Sequence, residues 1–296
     1  MDRKKKILGY VMVITSAVIF GCLPLLVKNI YAEGINSLST VLWRNLLSAP
    51  VAGLIAFCQR KTLKIPAKAF SAVAAMGIMG CCVAPLLLFS SYSFIGAGIA
   101  TVFHFVYPAL VVVGGVLCYR ERMHPGHVIS VLVCVVGICL FYTPGMPLDW
   151  RGSALALISG LAYAIYVLLL AHFKYREVSG YLLSFYIFAV NSVVMLAVCL
   201  GLDMLTMPTS AYGWFLCFVL AIVVNVCAVA MFQHGTLLIG GPQASVLSTL
   251  EPITGVLVGV VVYQEAMTLG TGIGSALVIL AGVLIVLADL KLQKQP

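Results

Sequence analysis

The chain has 296 residues, of which 62% are apolar and 9% charged, with a formal net charge of +8. No soluble domain can hide that much apolar surface, because even large soluble domains keep a polar exterior. The composition therefore specifies an integral membrane protein, and its basic excess reads as membrane topology rather than nucleic-acid binding.

Ten apolar stretches are long enough to span as helices: 7–28, 38–58, 69–90, 98–119, 127–142, 152–172, 180–200, 211–234, 242–263 and 269–290. Each has about 16 to 24 residues, against the ~20 that a bilayer requires at ~1.5 Å per residue. The fifth is the shortest. No small-residue cleavage site follows the first stretch, so it reads as a retained helix rather than a signal peptide. The linkers are short and leave no room for a soluble domain.

Lysine and arginine set the orientation. With the N-terminus inside, the inside segments carry fourteen of the seventeen basic residues: Arg3, Lys4, Lys5, Lys6, Arg60, Lys61, Lys64, Lys68, Arg120, Arg122, Lys174, Arg176, Lys291 and Lys294. The outside segments carry only Lys28 and Arg151, and Arg44 lies within a helix. This bias predicts a cytoplasmic membrane protein with both termini in the cytoplasm and an even number of spans.

The ten cysteines are scattered singly, apart from Cys81 and Cys82, and read as small buried hydrophobes. There is no Cys-x-x-Cys and no Cys/His cluster at metal spacing, so neither a metal nor a cofactor is expected. A GxxxxGK[ST] loop is absent, which argues against an ATP-driven pump. The acids and histidines do not gather at one depth, as a membrane enzyme would need.

A shift of 144 lays residues 95–129 on 239–273 with thirteen of thirty-five positions identical. The pairs include Gly96/Gly240, Pro108/Pro252, Tyr119/Tyr263, Glu121/Glu265 and Gly126/Gly270. Shared Pro, Tyr, Glu and Gly at fixed spacing indicate a duplicated unit. A weaker echo joins SAVIFG (16–21) to SGLAYA (159–164). The unit has five helices. Five is odd, so the second copy is inverted relative to the first. The expected fold is an all-α integral membrane protein of ten transmembrane helices in two inverted five-helix repeats, 1–149 and 150–296. Inverted repeats typify secondary transporters, whose sites lie near the midplane between the repeats.

The Phe20-Gly21 dipeptide, WRNLL (43–47), and the Pro-x12-Glu pattern closing the fourth and ninth helices resemble the drug/metabolite transporter superfamily, EamA type. So does the Glu-Pro pair of the second copy. The resemblance covers nearly the whole chain. It implies a carrier with a central cavity between the halves, moving amino acids, other metabolites, choline-like cations, drugs or sugar derivatives. The expected function is secondary transport of a small organic solute, such as an amino acid or amine, by alternating access. The alternative is a carrier of quaternary ammonium compounds or drugs. The partners expected are a small-molecule substrate, the lipid bilayer and protons, with the chain a monomer or homodimer and no nucleic acid involved. The first copy has Tyr107 where the second has Glu251, so the implied site is asymmetric.

Eight of the nine acids fall in loops, tails or helix ends; Glu251 alone sits well inside a span. A lone carboxylate there costs at least ~2.5–3.5 kcal/mol on insertion scales, so it should be paired, protonated or facing a water-filled cavity. It either serves the site or bonds a neighbouring helix. Pro252 is expected to free the carbonyl of Ser248, and Pro108 that of His104. Arg44 is suited to bind a substrate carboxylate, to snorkel outward or to meet a helix C-terminus. His104 is a candidate proton relay or a buried hydrogen-bonded histidine. Phe20, Tyr163 and Tyr166 are suited to line a cavity or to pack. Asn191 and Asn225 are buried amides with the same two readings. Tyr107, His104, Glu251, Ser248 and Tyr163 are expected to approach one central polar cavity. Glu121 and Glu265 read as structural carboxylates at helix ends.

Overall fold

The computed structural model describes residues 3–60, 63–95, 97–120, 125–140, 149–174, 178, 180–263 and 268–292. Every regular element among them is helical. α1 (Arg3–Gly21) runs into α2 (Leu23–Ala32), whose Pro24 sits in the first turn, where its missing N–H costs nothing. α3 (Ser37–Arg60) follows. Next, α4 (Ala67–Gly77) passes through a π-helical segment (Ile78–Val83) into α5 (Ala84–Ser91). Then come α6 (Ala97–His104), α7 (Tyr107–Tyr119) and α8 (Pro125–Cys139).

In the second half, Asp149 caps α9 (Trp150–Ala171) by accepting from the Arg151 N–H at 2.7 Å. α10 (Gly180–Gly201) follows. α11 (Ala211–Val219) continues through a second π segment (Leu220–Val229) into α12 (Ala230–Ile239). α13 (Gly241–Leu247), α14 (Leu250–Tyr263) and α15 (Leu269–Leu292) complete the chain.

Among the described residues, six helices are long and apolar enough to cross a membrane: Lys4–Ala32, Ser37–Gln59, Ala67–Ser91, Trp150–Ala171, Gly180–Gly201 and Ala211–Ile239. Tyr107–Tyr119, Pro125–Cys139 and Gly272–Leu284 are shorter apolar helices. Leu54, Leu117, Val193 and Val261 point outward, as side chains facing lipid do. Glu121 and Glu265 lie outside the described residues.

Among the described residues three expected continuous helices are broken, the first of them at Cys22 between α1 and α2. The fourth stretch is interrupted at 105–106 and the ninth at 248–249. Pro108 and Pro252 stand in the first turns of the next pieces, α7 and α14. The expected free carbonyl of Ser248 is corrected accordingly: it accepts the Glu251 N–H at 3.0 Å. A proline in a helix's first turn gives up no ladder bond, so the chain breaks before it instead of kinking at it.

The packing is reciprocal. α3 lies along α10, and α8 along α15. α1 packs on α12 and α14, while α9 packs on α5, α6 and α7. Ser16 Oγ donates to the Ala228 carbonyl, and Ser159 Oγ to the Ala84 carbonyl, each at 2.7 Å. The two serines belong to the echoed hexapeptides, and the two carbonyls are 144 residues apart. The same shift carries the first π segment onto residues 222–227, inside the second.

A polar clasp closes one end. Asn36 Nδ2 donates to the Met204 carbonyl at 2.7 Å, the Thr206 N–H to Ser39 Oγ at 2.8 Å, and Trp43 Nε1 to the Thr206 carbonyl at 3.0 Å. The clasp fixes α3 immediately before Arg44.

Gly21 brings α1 against the start of α14. A Cβ there would lie 2.7 Å from the Glu251 carbonyl oxygen and would also strike Thr254. Gly21→Ala is therefore expected to lower stability by about 1–3 kcal/mol, as overpacking does. Gly201, which has open space where its Cβ would be, serves as the control. Thermal unfolding of detergent-purified variants measures both, and the Gly201→Ala midpoint should stay near wild type.

Candidate functional site

The helix break at 248–249 places Glu251 in the first turn of α14, deep in the protein. A carboxylate is favoured there because the first N–H groups of a helix carry partial positive charge. Among the described residues its side chain has no hydrogen bond or ion pair. It keeps accessible surface because it faces an internal cavity.

That cavity holds about 570 Å³ of space free of protein atoms, its mouth included. The first half contributes Phe20, Arg44, Phe89 and His104 to its wall. The second half contributes Tyr163, Tyr166, Phe232 and Glu251. Apolar walls with few convergent polar groups are the usual character of small-molecule sites.

Arg44 is 3% exposed. Its Nε donates to Asn225 Oδ1 at 2.9 Å, and its Nη2 donates to the same oxygen. Asn225 Nδ2 returns a bond to the Arg44 carbonyl at 3.0 Å, and Ser48 Oγ joins that carbonyl to the Ala221 carbonyl. The guanidinium lies 5.8 Å from the centre of the Phe89 ring. Thus α3 and the second π segment hold Arg44 between them. Its anchor is neutral, and no carboxylate pairs with it among the described residues.

His104 Nδ1 lies 2.8 Å from Ser159 Oγ. The serine's one proton goes to the Ala84 carbonyl, so its oxygen accepts and His104 Nδ1 donates. The ring nitrogen left over is Nε2. Tyr163 stands among the rings, with centroids 5.4 Å from His104, 4.8 Å from Tyr107, 5.4 Å from Tyr166 and 5.9 Å from Phe232. Gly160 permits this approach: a Cβ on it would lie 2.5 Å from the His104 carbonyl oxygen.

Six of the nine residues expected at the site line the cavity: Phe20, Arg44, His104, Tyr163, Tyr166 and Glu251. Three stand behind the wall. Tyr107 donates to the Ser245 carbonyl at 3.3 Å, and Ser248 to the Ala244 carbonyl at 2.8 Å. Their hydroxyls are thus spent on the backbone of α13. Asn225 serves Arg44. Asn191 is buried with no hydrogen bond on either amide atom among the described residues.

Sequence reasoning missed Phe89, Phe232, Ser159, Asn45 and Gln233. Asn45 Nδ2 donates to the Cys81 carbonyl at 3.2 Å, the carbonyl that Pro85 four residues on cannot serve. Gln233 Oε1 accepts from Ser184 Oγ at 2.6 Å, and Gln233 lies beside the Tyr166 hydroxyl. An amide within an apolar run was a usable signal for both Asn45 and Gln233. An aromatic in such a run is not. Among the described residues no three His, Cys, Asp or Glu side chains gather as metal ligands.

Among known proteins, the family model described as the EamA-like transporter family matches residues 7–143 and again 150–287. An uncharacterised transporter of Archaeoglobus fulgidus is 26% identical over 281 residues, 94% of this chain and 95% of that one. The uncharacterised transporter YcbK of Bacillus subtilis is 26% identical over 280 residues, 90% of this chain and 88% of its own length. A crystal structure of a protein 18% identical to this chain superposes with a TM-score of 0.79, covering 99% of this chain and all of that one, which establishes the shared fold.

The Asn225 anchor generates a second prediction. Asn225→Ala leaves the buried guanidinium without its acceptor and should cost about 1.5–3 kcal/mol, the range for a hydrogen bond to a charged group. Asn225→Asp keeps the acceptor for the guanidinium but gives up the bond to the Arg44 carbonyl, and should unfold between the alanine variant and wild type. Unfolding midpoints in detergent, compared across the three proteins, measure the difference.

Proposed function

Because the chain belongs to the EamA-like transporter family, and is therefore a multi-pass membrane transporter rather than an enzyme, we propose that it is a secondary carrier. It moves a small organic solute, an amino acid, amine or related metabolite, through this cavity by alternating access. The observation that carries this reading is Glu251, a carboxylate at a helix break with no partner among the described residues, facing a cavity walled by both halves. Broken helices around a midplane site are the way carriers bring polar groups to a substrate without exposing backbone to lipid.

The proposed architecture is ten spans in two inverted repeats, 1–149 and 150–296, in the cytoplasmic membrane with both termini inside. The reciprocal Ser16–Ala228 and Ser159–Ala84 bonds support it, as do the paired π segments. Each half's first helix then reaches the other half's third helix in the same way. The proposed contacts to substrate or coupling proton are Glu251, Arg44, His104, Tyr163, Tyr166 and Phe20, with Tyr107, Ser248 and Asn225 supporting them. A carrier of organic cations is the second reading, favoured by the aromatic wall.

Glu251→Gln tests the reading. Gln preserves shape and hydrogen bonding and removes the titration. The variant is expected to fold and to lose transport, or to lose its response to an imposed pH gradient, in proteoliposomes. Unchanged pH-dependent flux would reduce Glu251 to a packing residue and move coupling to His104.

A further inference from the structure

We propose that Ser159 is a positioning residue of the cavity: it fixes His104 in the tautomer protonated on Nδ1, so that Nε2 meets the cavity as a preformed acceptor. The placement stands on hydrogen-bond geometry, and its use in transport rests on the reading of the cavity as the transport site.

Other buried serines of the chain set the comparison. Ser130, Ser192 and Ser248 each donate to the carbonyl four residues back in their own helix. That is the ordinary outlet for a hydroxyl in an apolar helix. Ser159 instead crosses from α9 to the Ala84 carbonyl at the start of α5, at 2.7 Å. A carbonyl only accepts, so this bond fixes the direction of the serine's one proton. The lone pairs of Oγ then face His104 Nδ1 at 2.8 Å, and a ring nitrogen that close to an acceptor carries the proton. His104 lines the cavity, and with Nδ1 turned to Ser159 the ring presents its other nitrogen to that space.

The backbone enforces the contact. Gly160, the next residue of α9, lies so close to the end of α6 that a Cβ on it would be 2.5 Å from the His104 carbonyl oxygen. The imidazole is enclosed by Phe105, Tyr107 and Tyr163, with ring centroids 5.7, 5.5 and 5.4 Å away. Tyr107 has spent its proton on the Ser245 carbonyl.

The second half separates bracing from positioning. Ser16 makes the matching bond to the Ala228 carbonyl, also at 2.7 Å. The shift of 144 carries His104 onto Ser248, whose hydroxyl is bound to the Ala244 carbonyl. The serine-to-carbonyl brace thus serves both halves, and among the described residues the first half alone hangs an imidazole on it. Nε2 can then take an N–H, an O–H or a proton from the cavity while the Nδ1 bond stays in place, so His104 changes state without moving α6 or α9. Arg44 on the same half's wall only donates, and Glu251 faces the same space from the other half.

Nitrogen-15 NMR of the full chain in nanodiscs, labelled at its five histidines, tests the assignment. The His104 signals are those lost in His104→Gln. Spectra are taken at about pH 9, above the ~6.5 at which an ordinary histidine titrates. A neutral ring then shows its protonated nitrogen far upfield of the bare one. Wild type should show a protonated Nδ1 and a bare Nε2 at His104. Ser16→Ala breaks the matching brace and should leave that pattern unchanged. Ser159→Ala should shift the Nε2 signal upfield as the proton moves to the nitrogen that an unconstrained imidazole prefers. Ser159→Thr, which keeps the hydroxyl, should keep the wild-type pattern. A wild-type proton on Nε2, protons on both nitrogens, or an unchanged pattern in Ser159→Ala would each overturn the inference. Should Ser159→Ala fail to fold, the wild-type spectrum decides alone. The spectrum reads no flux, so the carrier reading stands or falls separately on Glu251→Gln.

Discussion

Inside a hydrocarbon layer no water satisfies a polar group, so every N–H and C=O that leaves the helical ladder must find its partner within the protein. Among the described residues the chain leaves that ladder at the breaks before Pro24, Pro108 and Pro252 and through two π segments, and buried polar side chains are deployed around several of those places. Ser16 and Ser159 donate to carbonyls in or beside the π segments. On α3, Asn45 reaches the first π segment through Cys81, while Arg44 and Ser48 reach the second through Asn225 and Ala221. Consecutive turns of one helix thus tie both irregular segments together. The cavity lies where those irregularities meet, and its wall includes Gly80 and Cys81 from the first π segment and Val229 from the second.

Composition and the 144-residue shift made the helical membrane class and the duplication legible, because both are carried by residue type and spacing. The π segments were not. IMGCCV and LAIVVNVCAV contain no breaker that distinguishes them from ordinary apolar helix. The breaks were misplaced for a related reason. Proline marks a discontinuity but is comfortable in the first turn of the next helix, so the break falls just before Pro108 and Pro252.

The site was legible where placing a residue in hydrocarbon is costly. Glu251 and Arg44 stand out in any apolar span, and both line the cavity. Tyr107 and Ser248 were assigned to it from pseudo-symmetry, which fixes depth but not the direction of a side chain. Local acceptors on α13 decided that direction instead. Phe89 and Phe232 could not be found, because in an apolar run an aromatic facing a cavity reads the same as one facing lipid or a neighbouring helix.

The same economy that keeps Arg44 folded keeps it available. A carboxylate partner would have stabilised the guanidinium but also neutralised it, and the cavity would have lost its positive end. The amide of Asn225 orients the fork and leaves its charge in place. Glu251 is treated alike at the other wall, held by the start of α14 and not by a cation among the described residues. Among the described residues both groups are thus positioned by neutral partners, so the wall needs no rearrangement to present them to the cavity.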